Sequence, residues 1–215
     1  MNKIGLLIIS KNNYDLLETW FNNYSYENFE ILNIDDGSSE DQLTLGKSIA
    51  SKLNINFLKS DKPGVQNNIK QSIFFFKKLQ IDWIIYQHHD SYPLTKNLNN
   101  KLQYYLNNEK INNFGVIGFN VFDSINENIN EYEENKQNLL RTVSRSPLEL
   151  GDGWYRIRKG SRVNYQNFNK PFAVESVMWS VAMINCTKFL KCIEIDNDYQ
   201  FFHAWDDIAF QFLRK

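Results

Sequence analysis

The sequence predicts an α/β domain with a mostly parallel central sheet and helices on both faces. Two observations support this prediction. Short apolar runs alternate with longer segments of helical periodicity along the first half of the chain. The first run, IGLLII at 4–9, is a near-continuous apolar stretch, as expected for a parallel strand buried on both faces. The length of 215 residues suits one domain with a full core, so we expect a single domain over 1–215.

The elements are expected in the order β-α-β-α-β-α-β-α-β. The first helix has a stripe formed by Tyr14, Leu17 and Phe21. A Pro-Gly pair marks the turn before the third helix. The predicted strands lie at 4–9, 29–39, 55–60, 81–90 and 114–122. The second of them ends in two acids and a turn.

The second half is less regular. The segment 123–170 is polar and acidic at first and then suggests a hairpin or an irregular excursion, which we expect to cover one end of the sheet. The segment 172–192 is predicted to be a strand running into a helix, and the chain ends in another helix. Cys186 and Cys192 flank or lie within the short helix. Their spacing suits neither a CxxC redox pair nor a zinc site, so we expect two buried thiols in a reducing compartment.

The charge and hydropathy patterns exclude several classes of protein. The net charge is -1 and the pI about 6.3, so bulk electrostatics predict no nucleic-acid or membrane footprint. The apolar run at 4–9 is too short for a signal peptide or a membrane span. We therefore expect a cytoplasmic protein, with the inner face of the cytoplasmic membrane as a further location.

Polar side chains gather where the first, second and fourth predicted strands end. In open α/β sheets, ligands bind beyond the carboxyl ends of the strands, so these side chains predict a ligand site. The chain has no GxGxxG after its first strand and no Walker lysine loop, which disfavours dinucleotide oxidoreductases and P-loop enzymes. The polar residues are Ser10, Asn12, Asp35, Asp36, His88, His89 and Asp90.

Two of these clusters indicate particular chemistry. Asp36 could accept hydrogen bonds from a base or ribose, although a turn with a helix cap would use the same residue types. At the strand period of two, His88 and Asp90 lie on one face and His89 on the other. An imidazole and a carboxylate on one face are plausible ligands for a divalent cation, although a solvated loop would also contain them.

Asp206 and Asp207 stand at the start of the last helix. Acids are favoured there by the helix dipole. A carboxylate at this place could also act as a general base toward a sugar hydroxyl within hydrogen-bond reach.

These pieces, in this order, resemble the GT-A fold glycosyltransferases, and specifically the large inverting family 2. NIDDGSS is similar to the family's Asp-Asp-Gly-Ser strand end and is the most specific piece. KPGVQNNI resembles the loop before its third helix, YQHHDSYP takes the place of its DxD segment, and HAWDDIAFQFLR resembles its late acidic segment. The likeness covers the chain apart from 123–170. It implies that 1–95 forms a nucleotide-sugar-binding half and 96–215 an acceptor-side half.

The resemblance also implies roles for individual residues. Asp36 would contact the nucleotide base, Asp207 would activate the acceptor hydroxyl beside Asp206, and Asp90 would ligate Mg²⁺ or Mn²⁺ on the donor diphosphate. His88 replaces the first acid of DxD and could supply nitrogen, which favours Mn²⁺. The nucleotide-side residues implied in this way are Ser10, Asn12, Asn68 and His89.

The function expected from the resemblance is an inverting sugar transfer from a nucleotide-diphosphate sugar to a hydroxyl acceptor. The acceptor would be a saccharide or lipid-linked saccharide in surface polysaccharide or glycoconjugate synthesis. One alternative is a non-catalytic nucleotide-sugar-binding subunit with a degenerate DxD site. Another is a metal hydrolase that uses His88, Asp90, His203 and Asp207.

Overall fold

The computed structural model describes residues 3–23, 26–88, 98–107, 114–118, 121–122, 140–141, 181–196 and 204–214. The strands are β1 Ile4–Ser10, β2 Phe29–Asp35, β3 Asn56–Lys59, β4 Trp83–His88, β5 Val116–Gly118, β6 Val121–Phe122, β7 Leu140–Arg141 and β8 Val181–Asn185. The helices are α1 Tyr14–Asn23, α2 Glu40–Lys52, α3 Val65–Lys78, α4 Leu98–Leu106, α5 Cys186–Cys192 and α6 Ala204–Arg214. The alternation predicted for the first half of the chain is confirmed.

The central sheet has six strands in the order β3-β2-β1-β4-β8-β5. The first four are parallel to one another, as predicted. Strand β8 lies antiparallel between β4 and β5, so a strand from the second half of the chain separates two strands that are near in sequence. The sheet is therefore mostly parallel, with one reversed strand.

The prediction of one continuous strand over 114–122 is wrong. Within the described residues, Val116–Gly118 pairs with β8 in the main sheet, whereas Val121–Phe122 pairs with β7 in a separate two-stranded ladder. The sequence could not reveal this division, because a continuous apolar run does not specify which strand each of its residues pairs with. Apart from β7, the segment 123–170 lies outside the described residues.

Two apolar layers cover the two faces of the sheet. Alternate residues of β1 enter different layers: Leu7 and Ile9 face one, Leu6 and Ile8 the other. All seven residues of β1 are buried, which confirms a strand covered on both faces. The first layer is completed by α3, α5 and α6, and the second by α1, α2 and α4.

Helix α3 contacts both the central sheet and the helices of the second half of the chain. Its buried face includes Ile69, Ile73 and Phe76, which join the first layer. The same helix packs against α5 and α6. None of the helices in the described part of the chain is both long and apolar enough to cross a bilayer.

Candidate active site

The strand register brings the predicted polar residues to one edge of the sheet. Ser10 at the end of β1 pairs with Asp35 at the end of β2. His88, which ends β4, pairs with Ile9 on the other side of β1. Three strands therefore end at the same level, at one edge of the sheet.

The adjacent acids Asp35 and Asp36 have different surroundings. Asp35 is fully buried, and its Oδ2 accepts a 2.5 Å hydrogen bond from the Tyr14 hydroxyl. Its Oδ1 accepts from the backbone N–H groups of Gly37 and Ser38, each at 3.1 Å. Burial alone would raise the pKa of this carboxyl, but hydrogen bonds from Ser38, Tyr14 and Gly37 outweigh burial and hold its pKa below the usual range. Asp35 thus anchors the turn.

Asp36 lies on the α3 side and is partly exposed. Its Oδ1 accepts hydrogen bonds from the Gly64 backbone N–H at 2.8 Å and from Asn68 Nδ2 at 2.6 Å. Gly64 has a φ of 126°, which a residue with a side chain rarely adopts, so this donor depends on glycine. Asn68 is fully buried, and its Oδ1 accepts from the Ser60 hydroxyl. Asn68, predicted as a pocket residue, therefore holds Asp36 in place.

Ser10 and Asn12 connect the first two loops. Ser10 is buried, its Oγ accepts from Asn33 Nδ2 at 2.7 Å, and its carbonyl accepts from the Asp36 N–H at 2.8 Å. Asn12 is exposed, with a φ of 57° that asparagine tolerates. Its N–H donates to the Ser38 hydroxyl at 2.8 Å, and its Oδ1 accepts from the N–H of Ser39 at 3.2 Å. The two loops thus form one hydrogen-bonded unit.

The strand-four motif is only partly described. His88 is half-buried, and its ring meets the Tyr86 ring edge-on with centroids 5.5 Å apart. His89 and Asp90 lie outside the described residues. Within the described ranges, no group of three or more His, Cys, Asp or Glu side chains could hold a metal ion. His88 ends β4 at the sheet edge, and Asp90, the other metal ligand that the resemblance implies, lies outside the described residues.

Asp207 stands in the first turn of α6 and is held by two amides. Its Oδ2 accepts from Gln66 Nε2 at 2.9 Å and from Gln211 Nε2 at 2.8 Å. Gln66 belongs to the first turn of α3, between Gly64 and Asn68, which both bind Asp36. Asp206 lies in the same helix as Asp207, and its side chain lies outside the described set.

Helix α3 therefore bridges Asp36 and Asp207, two acids that are far apart in sequence. A single turn of α3 contacts Asp36 on one side and Asp207 on the other. Reasoning from the sequence missed Gln66, Gln211 and the role of Tyr14. A glutamine two residues after a Pro-Gly turn was visible in the sequence, but nothing local pointed to its partner.

The two cysteines lie in α5 and are free thiols, Cys186 buried and Cys192 half-buried. The buried environment predicted for both is thus complete only for the first. Burial raises the pKa of the Cys186 thiol to about 12, which keeps it protonated and unsuited to nucleophilic chemistry.

Solved structures with the same fold include two for which the superposition covers nearly the whole chain. One is the mannosyltransferase PcManGT from Pyrobaculum calidifontis in complex with GDP-Man and Mn²⁺, with a TM-score of 0.56 at 9% identity. The match covers 96% of this chain and 50% of that one. The chain has a GT-A-like glycosyltransferase fold.

Another solved structure with a similar fold is S. aureus TarS 1-349 in complex with UDP-GlcNAc. Its TM-score is 0.55 at 11% identity, with 98% of this chain and 53% of that chain covered. This chain thus spans about half the length of both solved chains. No protein-family model and no curated protein sequence matches the chain.

Proposed function

We propose that this protein is an inverting glycosyltransferase that moves a sugar from a nucleotide-diphosphate sugar to a hydroxyl acceptor. One observation supports this proposal above the others: a single turn of α3 contacts both Asp36 at the sheet edge and Asp207 at the start of α6. A carboxylate suited to recognising a nucleoside and a carboxylate suited to proton abstraction thus flank one rigid element. The two solved relatives, which contain GDP-Man and UDP-GlcNAc, support the class of donor.

The Asp36 carboxylate would recognise the nucleotide. Both of its hydrogen bonds within the described residues fall on Oδ1. Oδ2 is then the oxygen that would accept a hydrogen bond from a base N–H or a ribose hydroxyl, because an ionised carboxylate accepts through both oxygens. Ser10 and Asn12 would support this pocket by fixing the adjoining loops, and His89 would contact ribose or phosphate.

The Asp207 carboxylate would be the general base. Within the described residues both amides bind Oδ2, so Oδ1 is the oxygen that would take the acceptor proton. As the acceptor oxygen bonds to the anomeric carbon, the bond from that carbon to the diphosphate oxygen breaks on the opposite side, and the configuration inverts. Asp206 would be the neighbouring acidic group.

His88 and Asp90 would hold Mn²⁺ or Mg²⁺ together with the donor diphosphate. When bound, the metal would neutralise charge that develops on the leaving diphosphate. An imidazole and a carboxylate favour Mn²⁺ over Mg²⁺. The acceptor in this proposal is a saccharide or lipid-linked saccharide of a surface polysaccharide or glycoconjugate, and the reaction would occur in the cytoplasm or at the inner face of its membrane.

The first experiment identifies the donor class. Thermal unfolding is followed with UDP, GDP, CDP or ADP, each with MnCl₂ or EDTA. A ligand that binds only the folded state raises the unfolding temperature. We expect a rise with one nucleotide that is larger with Mn²⁺ than with EDTA. No shift with any nucleotide would contradict the proposed donor site.

The second experiment tests the base. Asp207→Asn should reduce turnover of the matching nucleotide sugar by about 10²- to 10⁴-fold, the usual contribution of general-base catalysis, with nucleotide affinity retained. Asp41→Asn is the matched control, because Asp41 is an exposed acid in the first turn of a different helix. Turnover equal to wild type in Asp207→Asn would remove Asp207 from this role. Nucleotide binding without turnover in the wild type would favour the non-catalytic binding subunit.

A further inference from the structure

Gln66 is a buried polar residue on a helix face that is otherwise mainly apolar. Only 1% of its surface is exposed, and it stands in the first turn of α3. A buried amide is costly unless its polar atoms are paired, so its partners indicate why it is there. All three partners, which are Asp196, Ala204 and Asp207, lie in the second half of the chain.

The three hydrogen bonds of Gln66 use both N–H groups of its amide and one lone pair of its oxygen. Its Nε2 donates to Asp207 Oδ2 at 2.9 Å and to the Ala204 carbonyl at 3.2 Å, and its Oε1 accepts from the Asp196 N–H at 3.0 Å. Carbonyl and carboxylate oxygens can only accept here and a backbone N–H can only donate, so a flipped amide would lose all three bonds. The Gln66 amide therefore has one orientation.

Gln211 holds the same carboxylate oxygen but from within α6. Its Nε2 donates to Asp207 Oδ2 at 2.8 Å and to the Glu194 carbonyl at 2.9 Å, and its Oε1 accepts from the Glu194 N–H at 2.7 Å. Because Gln211 moves with the helix that carries Asp207, it fixes the rotamer of that side chain. Gln66 comes from a separate helix and fixes where Asp207 stands relative to α3.

We infer that Gln66 is a positioning residue that holds the Asp207 carboxylate at a set distance from the Asp36 side of the site. The inference rests on the proposed function and deepens it. The Gly64 N–H and Asn68 Nδ2 hold Asp36 from the same turn of α3, so the spacing of the two acids follows from the helix geometry. Without the Gln66 amide, Asp207 keeps its hydrogen bond from Gln211 but loses the bond that fixes its place relative to α3.

The test uses Gln66→Met, which keeps an unbranched side chain of similar size and removes all three hydrogen bonds. Hydrolysis of UDP-glucose and of GDP-mannose is measured with Mn²⁺, together with the Kd of UDP and of GDP. We expect kcat to fall by about 10- to 100-fold, since small displacements of a reacting group have effects of that size. The nucleotide Kd should stay unchanged. The matched control is Gln71→Met, half-exposed on the same helix and bonded to the 59–61 loop instead.

A double-mutant cycle separates positioning from a general structural effect. Gln66→Met should cause no further loss of kcat in the Asp207→Asn background, because its effect acts through that carboxylate. An equal loss in both backgrounds would overturn the inference. If Asp207→Asn alone retains full turnover, the base assignment in the proposed function fails instead, whatever Gln66→Met does.

A second variant, Gln66→Glu, covers the case in which Gln66→Met folds poorly. Its carboxyl can accept from the Asp196 N–H, but it can donate to Asp207 only when it is protonated. The neighbouring Asp207 carboxylate raises the pKa of the new carboxyl, so its titration is first located by NMR. The kcat relative to wild type should rise as the pH is lowered through that pKa, and a ratio that stays flat through it would contradict a positioning role for the Nε2 donor.

A third measurement needs no substrate. If Gln66 and Asp207 act as one bonded pair, the losses of unfolding temperature in Gln66→Met and Asp207→Asn should not add in the double variant. Additive losses would overturn the inference, including for a wild type that hydrolyses neither donor.

Discussion

Tyr14→Phe removes a single oxygen from the support of the sheet edge. The Tyr14 side chain is fully buried, and its hydroxyl donates to Asp35 Oδ2 at 2.5 Å. Burial and the neighbouring Asp35 carboxylate raise the pKa of Tyr14 well above its usual range, so the phenol stays protonated and remains a donor. The variant keeps the ring and its packing but leaves one oxygen of a buried carboxylate without this donor.

The expected loss follows from the charge of the acceptor. A hydrogen bond to a charged group contributes about 1.5–3 kcal/mol, and a buried charged acceptor left unmatched is costlier than a neutral one. We expect Tyr14→Phe to lower the free energy of unfolding at pH 7 by about 1.5–3 kcal/mol, against a typical total of about 5–15 kcal/mol. Guanidinium denaturation followed by circular dichroism measures it.

The lowered pKa of Asp35 predicts how the stability loss in Tyr14→Phe changes with pH. Because the folded-state pKa of Asp35 is lowered, its contribution to stability is present above its unfolded pKa of about 3.9 and is lost as the pH falls through the folded value. In Tyr14→Phe the carboxyl loses one of the donors that lower its pKa, so the difference from wild type should be largest at pH 7 and smaller at pH 3.5.

Asp35→Asn serves as the control background for this prediction. There the acceptor is neutral, so Tyr14→Phe should cost clearly less than it does opposite the carboxylate, and the cycle isolates the charged part of the interaction. A loss below about 0.5 kcal/mol at pH 7 would place the change among ordinary surface substitutions and refute the reasoning. A loss that is the same at both pH values would refute the assignment of the ionised form.

Two further predictions use the same edge. Gly46→Ala should lower the free energy of unfolding by about 1–3 kcal/mol, despite the helix preference for alanine, because the new Cβ would lie 2.5 Å from a Tyr14 ring that Asp35 holds in place. Denaturation measures it, with exposed Ser48→Ala on the same helix as control, and an equally stable Gly46→Ala would contradict the packing. Asp36→Ala should weaken UDP or GDP binding about tenfold or more in calorimetry while exposed Asp61→Ala does not, because a charged acceptor is lost. An unchanged Kd in Asp36→Ala would remove it from the nucleotide pocket.

Much of the fold could be read from the order of the residues. The strand-helix alternation depends on local apolar periodicity, and β1 is a near-continuous apolar run from Ile4 to Ile9 because helices cover both of its faces. The grouping of Ser10, Asp35 and His88 at one edge followed because parallel strands end on the same side. Long-range pairing decides the place of β8 in the sheet and the division of 114–122 between two sheets. The local sequence does not specify the partner of a strand.

The site shows the same division. That Asp35 and Asp36 follow the second strand could be predicted from the sequence. Only the tertiary packing decides that Asp35 is buried against Tyr14, whereas Asp36 stays partly exposed and is held by Asn68. Asp207 could be recognised from the sequence as an acid at a helix start. The role of Gln66 could not, because its hydrogen bond to Asp207 forms only when α6 packs against α3. Hydrogen bonds between residues 141 positions apart have no local signature, because only the packing of the whole chain brings their atoms together.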